Sequence, residues 1–161
     1  MVRALLTLLC ALALGLALVG LRVGWRNRAN RQASLGALPP IPALGAALLR
    51  QDGVYIGTTF ATSWQDRVVH RGLGLRANAT ATLHAEGVLL DREGAEAIFV
   101  PVGDVVAARL APALAGKVMG AGGLLVIQWR LGDAVLDTGF RADDKTSYPA
   151  WVRAINEMVT V

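Results

Sequence analysis

The feature of this sequence that most constrains its structure is an apolar run near the amino terminus. The run extends from Ala4 to Leu21, contains nine leucines and has no charged residue between Arg3 and Arg22. As an α-helix rising about 1.5 Å per residue it is roughly 27 Å long, and continuing to Trp25 gives about 33 Å, against a hydrocarbon core of about 30 Å. We therefore expect residues 1–24 to form a transmembrane anchor.

The charges that flank this run predict its orientation. Four arginines follow it within ten residues, namely Arg22, Arg26, Arg28 and Arg31. Positive charge in short flanks is retained on the cytoplasmic side, and Trp25 suits the headgroup level of the bilayer. We expect a single-pass protein of the inner (plasma) membrane whose carboxy-terminal part is cytoplasmic.

A cleaved secretory signal is the alternative reading of the same run. No Ala-x-Ala cleavage motif follows it, and the arginines are atypical of the mature side of a signal peptide. Cys10 is the only cysteine and lies in the middle of the run, so an intramolecular disulfide is excluded and lipid attachment is not expected. Cleavage would make the remainder a secreted or surface β-domain.

The formal charge of +4 is unevenly distributed along the chain. Residues 1–50 contain six arginines and no acidic residue, whereas residues 51–161 contain ten basic and twelve acidic side chains, a net charge of −2. The basic juxtamembrane stretch suits anionic headgroups. The later part has no basic surface that would follow a phosphate backbone, which argues against a nucleic-acid partner.

Residues 25–51 have the composition of a linker, basic at first and then rich in proline. Pro39, Pro40 and Pro42 prevent a long helix, because proline lacks the amide donor and restrains the residue before it. We expect a semi-rigid spacer. The segment LPPIP (38–42) also has the composition of a polyproline II ligand.

From residue 52 onward the pattern changes to short β segments separated by turn residues. The segments lack intervening helical patterns and predict an antiparallel, meandering sheet. Seven strands are expected, at residues 54–60, 75–85, 88–91, 97–100, 104–110, 124–131 and 134–140, the last two joined by a tight turn at Gly132 and Asp133.

The last segment has the period of an amphipathic helix. We expect Ser147 to be its N-cap, with Asp143 and Asp144 able to cap an earlier start. Its single apolar face must cover the sheet, with Trp151 as the largest contact. The apolar positions are Tyr148, Trp151, Val152, Ile155, Met158 and Val159.

Seven antiparallel strands closed by a carboxy-terminal helix form the layout of a pleckstrin-homology-like (PH-like) barrel or sandwich. The strings VYIGTT (54–59), WQDRV (64–68), GGLLV (122–126) and LDTGFRAD (136–143) resemble those of small actinobacterial single-span membrane proteins with a bacterial PH-like domain. The resemblance implies a PH-like domain at residues 52–161. Many such proteins are encoded near genes of pyrimidine and carbamoyl-phosphate synthesis, which implies a metabolic enzyme as partner.

Two loops contain the candidate ligand or partner residues. The first, residues 61–72, contains Trp64, Asp66, Arg67, His70 and Arg71. Its arginines suit a phosphate or an acidic partner, and the alternative is a surface pair of Asp66 with Arg67 beside a packed Trp64. Phosphoinositide-binding PH domains have a lysine and arginine cluster over the first two strands, and because this loop has no lysine we do not expect inositol-lipid recognition.

The second loop, residues 111–123, has the sequence APALAGKVMGAGG. Gly116 and Lys117 resemble part of a phosphate-binding loop, but the required first glycine and the following Ser or Thr are absent. We expect a flexible hairpin loop in which Lys117 and Met119 are available to a partner or to the bilayer.

The sequence predicts no enzyme, no cofactor and no metal site. His70 and His84 are the only histidines, and a zinc site needs at least three ligands of this kind. We expect a membrane-tethered scaffold that recruits a protein partner. The first alternative is a lipid-sensing or transport accessory domain that reads anionic lipid, and the second is the secreted β-domain.

Overall fold

The computed structural model describes residues 2–33 and 35–160, with side chains at 9–24 and 35–160. The chain divides into two units, Met1–Ser34 and Leu35–Val161. The first is a helix, α1 (Val2–Ala33). Within the part of α1 and the other helices that the structure describes, none has both the length and the apolar character needed to cross a bilayer. The predicted orientation residues Trp25, Arg26, Arg28 and Arg31 have side chains outside the described part, and Arg22 is exposed.

The second unit is built on one antiparallel sheet of seven strands. The sheet order is β4-β3-β2-β1-β9-β8-β5, so the first and last long strands pair at its centre. The seven predicted strands and their antiparallel pairing are confirmed. The strands are β1 (Leu49–Phe60), β2 (Ala77–His84), β3 (Gly87–Arg92), β4 (Ile98–Pro101), β5 (Val105–Ala111), β8 (Leu124–Leu131) and β9 (Ala134–Ala142).

Residues 111–123, predicted to be a hairpin loop, contain two further strands. These are β6 (Ala113–Leu114) and β7 (Lys117–Val118), which pair as a short hairpin separate from the main sheet. The tight turn predicted between β8 and β9 is also present. Gly132 takes a φ of 57° there, as the first residue of a two-residue hairpin turn requires.

The carboxy-terminal helix α2 (Tyr148–Val159) covers the main apolar core, as predicted. Tyr148, Trp151 and Ile155 are its buried residues, and Trp151 is 1% exposed. The predicted cap is only partly right, because the Ser147 side chain makes no capping bond. The Asp144 carboxylate instead accepts a hydrogen bond from the Thr146 amide, which begins a short 3-10 turn before the helix.

Buried polar side chains of the sheet form a chain of hydrogen bonds with one another. The Tyr55 hydroxyl donates to the Leu73 carbonyl at 2.5 Å and lies 2.8 Å from the Thr58 hydroxyl. The chain of bonds continues from Thr58 to Thr138, which accepts from the Trp129 indole at 2.9 Å. Burial raises the pKa of Tyr55 to about 12, because its charged form would lose solvation.

The residues before β1 are packed against the domain, which differs from the expected spacer. Leu35 is 3% exposed and belongs to the main core, and Leu38 packs against it. The Gly45 carbonyl lies 2.9 Å from His84 Nδ1, and the Gly45 amide donates to Glu86. The compact unit therefore starts at Leu35, before the boundary predicted at residue 52, because these side chains need the core for burial.

Candidate functional site

The loop between β1 and β2, residues 61–76, includes the first candidate loop (61–72) and runs beside β1 where β2 has separated from it. The β1–β2 pairing ends at Tyr55, and from there the loop takes over the free backbone groups of β1. The Val68 amide donates to the Thr58 carbonyl at 2.8 Å, and the Thr58 amide donates to the Leu73 carbonyl at 2.9 Å. Val68 and Leu73 of the loop are thus both fixed to Thr58 of the sheet by backbone hydrogen bonds.

The β6–β7 hairpin covers the outer face of the same part of the sheet. Alternate residues of β1 point to the two faces, so Tyr55 belongs to the main core while Val54 and Ile56 join a second, smaller core. Leu114 of the hairpin is 1% exposed in this second core. Gly139 leaves room for it, because a Cβ there would lie 2.5 Å from Leu114 Cδ2.

Arg67 joins the loop to the hairpin. Its guanidinium donates from Nη1 to the Gly74 carbonyl at 2.5 Å and from Nη2 to the Ala115 carbonyl at 2.7 Å. Gly57 lies beneath this junction, where a Cβ would lie 3.4 Å from the Ala115 Cβ and 3.8 Å from the Arg67 Cζ. One planar, always charged group therefore holds two turns of the chain side by side.

The segments that Arg67 joins expose a group of aliphatic and basic side chains. Leu75 is 63% exposed and Val118 is 74% exposed, and Arg71, Arg76 and Lys117 are also exposed. Leu75 Cδ1 lies 3.7 Å from the position of a Cβ on Gly72, so this side chain covers the turn after Arg71. We call Arg71, Leu75, Arg76, Lys117 and Val118 the Leu75–Val118 face.

The structure places the predicted site residues in different surroundings. Arg71 and Lys117 belong to the Leu75–Val118 face, and Arg67 links its two segments through the Gly74 and Ala115 carbonyls. Met119 is half-buried and packs against the second core. Trp64 is 43% exposed, which differs from the packed alternative, and it lies in the part of the loop where the Ala61 amide donates to the Val135 carbonyl.

The two remaining polar residues of this loop accept backbone hydrogen bonds through their carbonyl oxygens. Asp66 is half-buried, and its carbonyl accepts from the Phe60 amide at 3.2 Å. The carbonyl of His70, also half-buried, accepts from the Leu73 amide at 3.0 Å in a 3-10 turn at His70–Gly72. The sequence pattern does not distinguish Leu75, Arg76 and Val118, because the first two lie in a predicted strand and the third in a predicted hairpin loop.

The charge of this region differs from that of the neighbouring sheet. A groove of about 580 Å³ on the first three strands is lined by the carboxylates Asp52, Asp91, Glu93 and Asp143. Among the residues that the structure describes, no three histidine, cysteine or carboxylate side chains are arranged to hold a metal ion. The groove is therefore an acidic surface, while the Leu75–Val118 face is a basic and aliphatic one.

Arg92 connects two loops at one end of the sheet through hydrogen bonds to backbone carbonyls. Its side chain, 3% exposed, donates to the Gly72 carbonyl at 2.7 Å and to the Glu96 carbonyl at 2.6 and 2.8 Å. The guanidinium carbon also lies 4.9 Å from the centre of the Tyr55 ring. Arg92 thus links the loop after β1 to the loop after β3, and its charge is balanced by carbonyl oxygens and a ring face.

Comparison with known proteins identifies the fold. The family model described as Bacterial PH domain-like matches residues 35–156. The chain belongs to this family. The match starts at the buried Leu35, in agreement with the compact unit seen in the structure. PH-like domains are in general non-catalytic modules that bind proteins or lipids.

Two solved structures illustrate how distant the structural relatives are. A chain of "The 8S snRNP Assembly Intermediate" is similar with a TM-score of 0.48 and 11% identity, over 78% of this chain and 89% of that one. A chain of "Vav1 inhibited by an allosteric inhibitor: Vav1 inhibitors block GEF activity" is similar with a TM-score of 0.42 and 15% identity, over 84% of this chain and 32% of that one. No curated protein matches the chain in sequence.

Proposed function

We propose that this PH-like protein is a non-catalytic binding module, held at the cytoplasmic face of the inner (plasma) membrane by α1, where it recruits a protein partner. The observation that carries the tether is the exposure of large aliphatic side chains all around α1. Between Leu9 and Val23 eight leucines and valines are 51–71% exposed. A helix that is apolar on every side needs lipid or a protein core around it.

The mechanism is an increase in local concentration. A domain confined to the membrane meets other membrane-bound or membrane-adjacent molecules more often than a free domain does, so a modest intrinsic affinity is sufficient. The resemblance to proteins encoded near pyrimidine and carbamoyl-phosphate synthesis genes makes a metabolic enzyme the candidate partner.

Fractionation of cells that express the full chain tests the tether. The wild-type protein is expected in carbonate-washed membranes, and a Leu12→Arg/Leu16→Arg variant is expected to leave them, because each arginine at the centre of a span costs about 2.5–3.5 kcal/mol on insertion scales. Leu12→Val/Leu16→Val is the matched control and should stay in the membrane fraction. A soluble wild-type protein, or an arginine variant that stays in the membrane, contradicts the tether.

Quantitative proteomics of the same membranes tests recruitment. An enzyme that is present in the membrane fraction of wild-type cells and absent from it in cells without the chain, or with the arginine variant, is the expected result. An unchanged set of membrane-associated proteins contradicts a recruiting role.

One observation favours binding to anionic lipid as a second candidate function. The aliphatic and basic composition of the Leu75–Val118 face suits an anionic lipid surface as well as a protein.

A further inference from the structure

We propose that residues 38–43 (LPPIPA), called the proline segment below, form a preformed polyproline II helix that docks into an aromatic-lined groove of the recruited protein. The proposal rests on the recruitment of the proposed function and deepens it by naming the part of this chain that contacts the partner. It involves no residue of α1, so it can be tested separately from the tether.

The backbone of the proline segment is restrained by the sequence itself. The rings of Pro39, Pro40 and Pro42 fix φ at about −65°. A residue that precedes a proline is confined to extended or polyproline II values of ψ, which restrains Leu38 and Ile41 as well. Every residue from 38 to 42 therefore favours polyproline II, and residues 36–47 form neither helix nor strand in the structure.

Two edges of the proline segment remain accessible on the folded domain. A polyproline II helix has three residues per turn, so Pro39 and Pro42 share one edge while Pro40 and Ala43 share the next. Leu38, on the third edge, packs against the main core. Pro40, Pro42 and Ala43 are exposed and Pro39 is half-buried, so the proline rings point to a surface that a partner can reach.

Both ends of the proline segment are fixed to the domain. Before it, the buried Leu35 and the half-buried Leu38 belong to the packing of the main core. After it, the Gly45 carbonyl lies 2.9 Å from His84 Nδ1, and the Gly45 amide donates to the Glu86 carboxylate at 3.3 Å. A segment that is held at both ends and stiffened by proline loses little conformational entropy when it binds.

The surroundings of the proline segment indicate the chemistry of its partner. No charged residue occurs between Arg31 and Arg50, and within this stretch Ile41 is 48% exposed and Leu48 is 62% exposed. A contiguous exposed apolar stretch is typical of an interaction site. Proline rings without charge match the aromatic-lined grooves that recognise polyproline II segments. The partner that fits is therefore a protein with such a groove.

Photo-crosslinking in the cells that naturally make the full chain tests this docking. A benzophenone amino acid is placed at position 43 instead of Ala43, or at position 150 instead of Ala150, an exposed residue of α2. We expect light to join position 43 to one protein partner, and mass spectrometry to locate the junction beside aromatic residues of that partner. Position 150 should give no adduct with the same protein.

Proline variants supply the matched comparison. Pro40→Ala/Pro42→Ala should lower the yield of the adduct about ten-fold, because truncating the anchor residues of an interface costs more than about 1 kcal/mol. Pro112→Ala/Pro149→Ala removes two exposed prolines elsewhere and should leave the yield unchanged. Circular dichroism of the purified variants shows whether each one folds, and the single variants Pro40→Ala and Pro42→Ala repeat the test with a smaller change.

Calorimetry with the full chain in detergent and the isolated partner measures the same contact directly. We expect the affinity to stay the same between about 0.05 and 0.5 M salt, since the stretch around the proline segment is uncharged. An affinity that falls steeply with salt would show that the partner binds charged residues and would overturn the proposal.

The outcomes separate the proline segment from the tether and from recruitment. The proline segment is overturned if position 43 gives no adduct, gives one only with lipid or a second copy of this chain, or gives one that survives Pro40→Ala/Pro42→Ala unchanged. A chain that stays in washed membranes and still recruits its enzyme in those cases retains the proposed function. A proline-dependent adduct formed by a chain in the soluble fraction overturns the tether and supports the proline segment.

Discussion

Replacing Arg67 by alanine is the substitution whose effect follows most directly from the site geometry. The side chain donates charge-assisted hydrogen bonds to the carbonyls of Gly74 and Ala115. Both of these residues are buried, so the carbonyls lose their guanidinium partner in places with little access to water. The variant would thus remove the Arg67 link between the loop and the β6–β7 hairpin.

The size of the effect can be estimated from these two bonds. Hydrogen bonds to charged groups contribute about 1.5–3 kcal/mol each, and the half-buried position of Arg67 places it at the lower end. We expect Arg67→Ala to lower the free energy of unfolding by about 2–4 kcal/mol, a large part of the usual 5–15 kcal/mol. Arg67→Lys retains the charge but cannot reach both carbonyls in the same planar geometry, so it should recover less than half of the loss.

Urea denaturation of the full chain in detergent, followed by tryptophan fluorescence, measures this loss. Amide hydrogen exchange at residues 113–118 should accelerate in Arg67→Ala more than exchange in β8 and β9 does. A loss below about 0.5 kcal/mol, or complete recovery by lysine, would show that the two carbonyls do not depend on the guanidinium and would refute the link between loop and hairpin.

Three further predictions concern the sheet and the two elements packed on it, the β6–β7 hairpin and α2. Gly139→Ala should destabilise the domain by about 1–3 kcal/mol through the clash with Leu114, and Leu114→Ala in the same chain should relieve part of that loss, as a double-mutant cycle in urea would show. Because burial raises the folded-state pKa of Tyr55 to about 12, the stability that its neutral form contributes is complete below pH 10 and is lost as the pH rises towards 12. The free energy of unfolding in urea should fall by about 1.4 kcal/mol at pH 11 from this residue, and a Tyr55→Phe variant should lack this part of the decline. Asn156→Leu should cost about 1–3 kcal/mol and promote aggregation detectable by light scattering, because the Asn156 side chain binds both backbone groups of Ala108 on the edge strand β5. Unchanged stability and unchanged light scattering would contradict this.

Much of the fold could be predicted from alternation and period. Short segments rich in β-branched and aromatic residues between turn residues predict the strands, and the recurrence of Tyr148, Trp151 and Ile155 on one face predicts α2. The start of the domain could not be found in this way. Leu35 lies in a segment without strand or helix periodicity, and its burial depends on a core made by residues far away in the sequence.

The candidate site was only partly predictable for the same reason. Arg71 and Lys117 stand out as basic residues in loops, and Arg67 does too, but its role as a link depends on the Ala115 carbonyl, 48 residues later. Leu75 and Val118 are ordinary aliphatic residues in the sequence, and only their exposure in the fold distinguishes them. A sequence pattern does not report which aliphatic side chains the core leaves outside.

The location of the folded domain is the claim on which the account depends most. Paired fusions of the full chain, with alkaline phosphatase or a fluorescent protein at the carboxy terminus, measure it directly. We predict fluorescence in the membrane fraction and an inactive phosphatase, since we expect the arginines after the apolar run to keep the domain in the cytoplasm. An active phosphatase with a dark fluorescent protein, or fluorescence confined to the soluble fraction, would contradict the account.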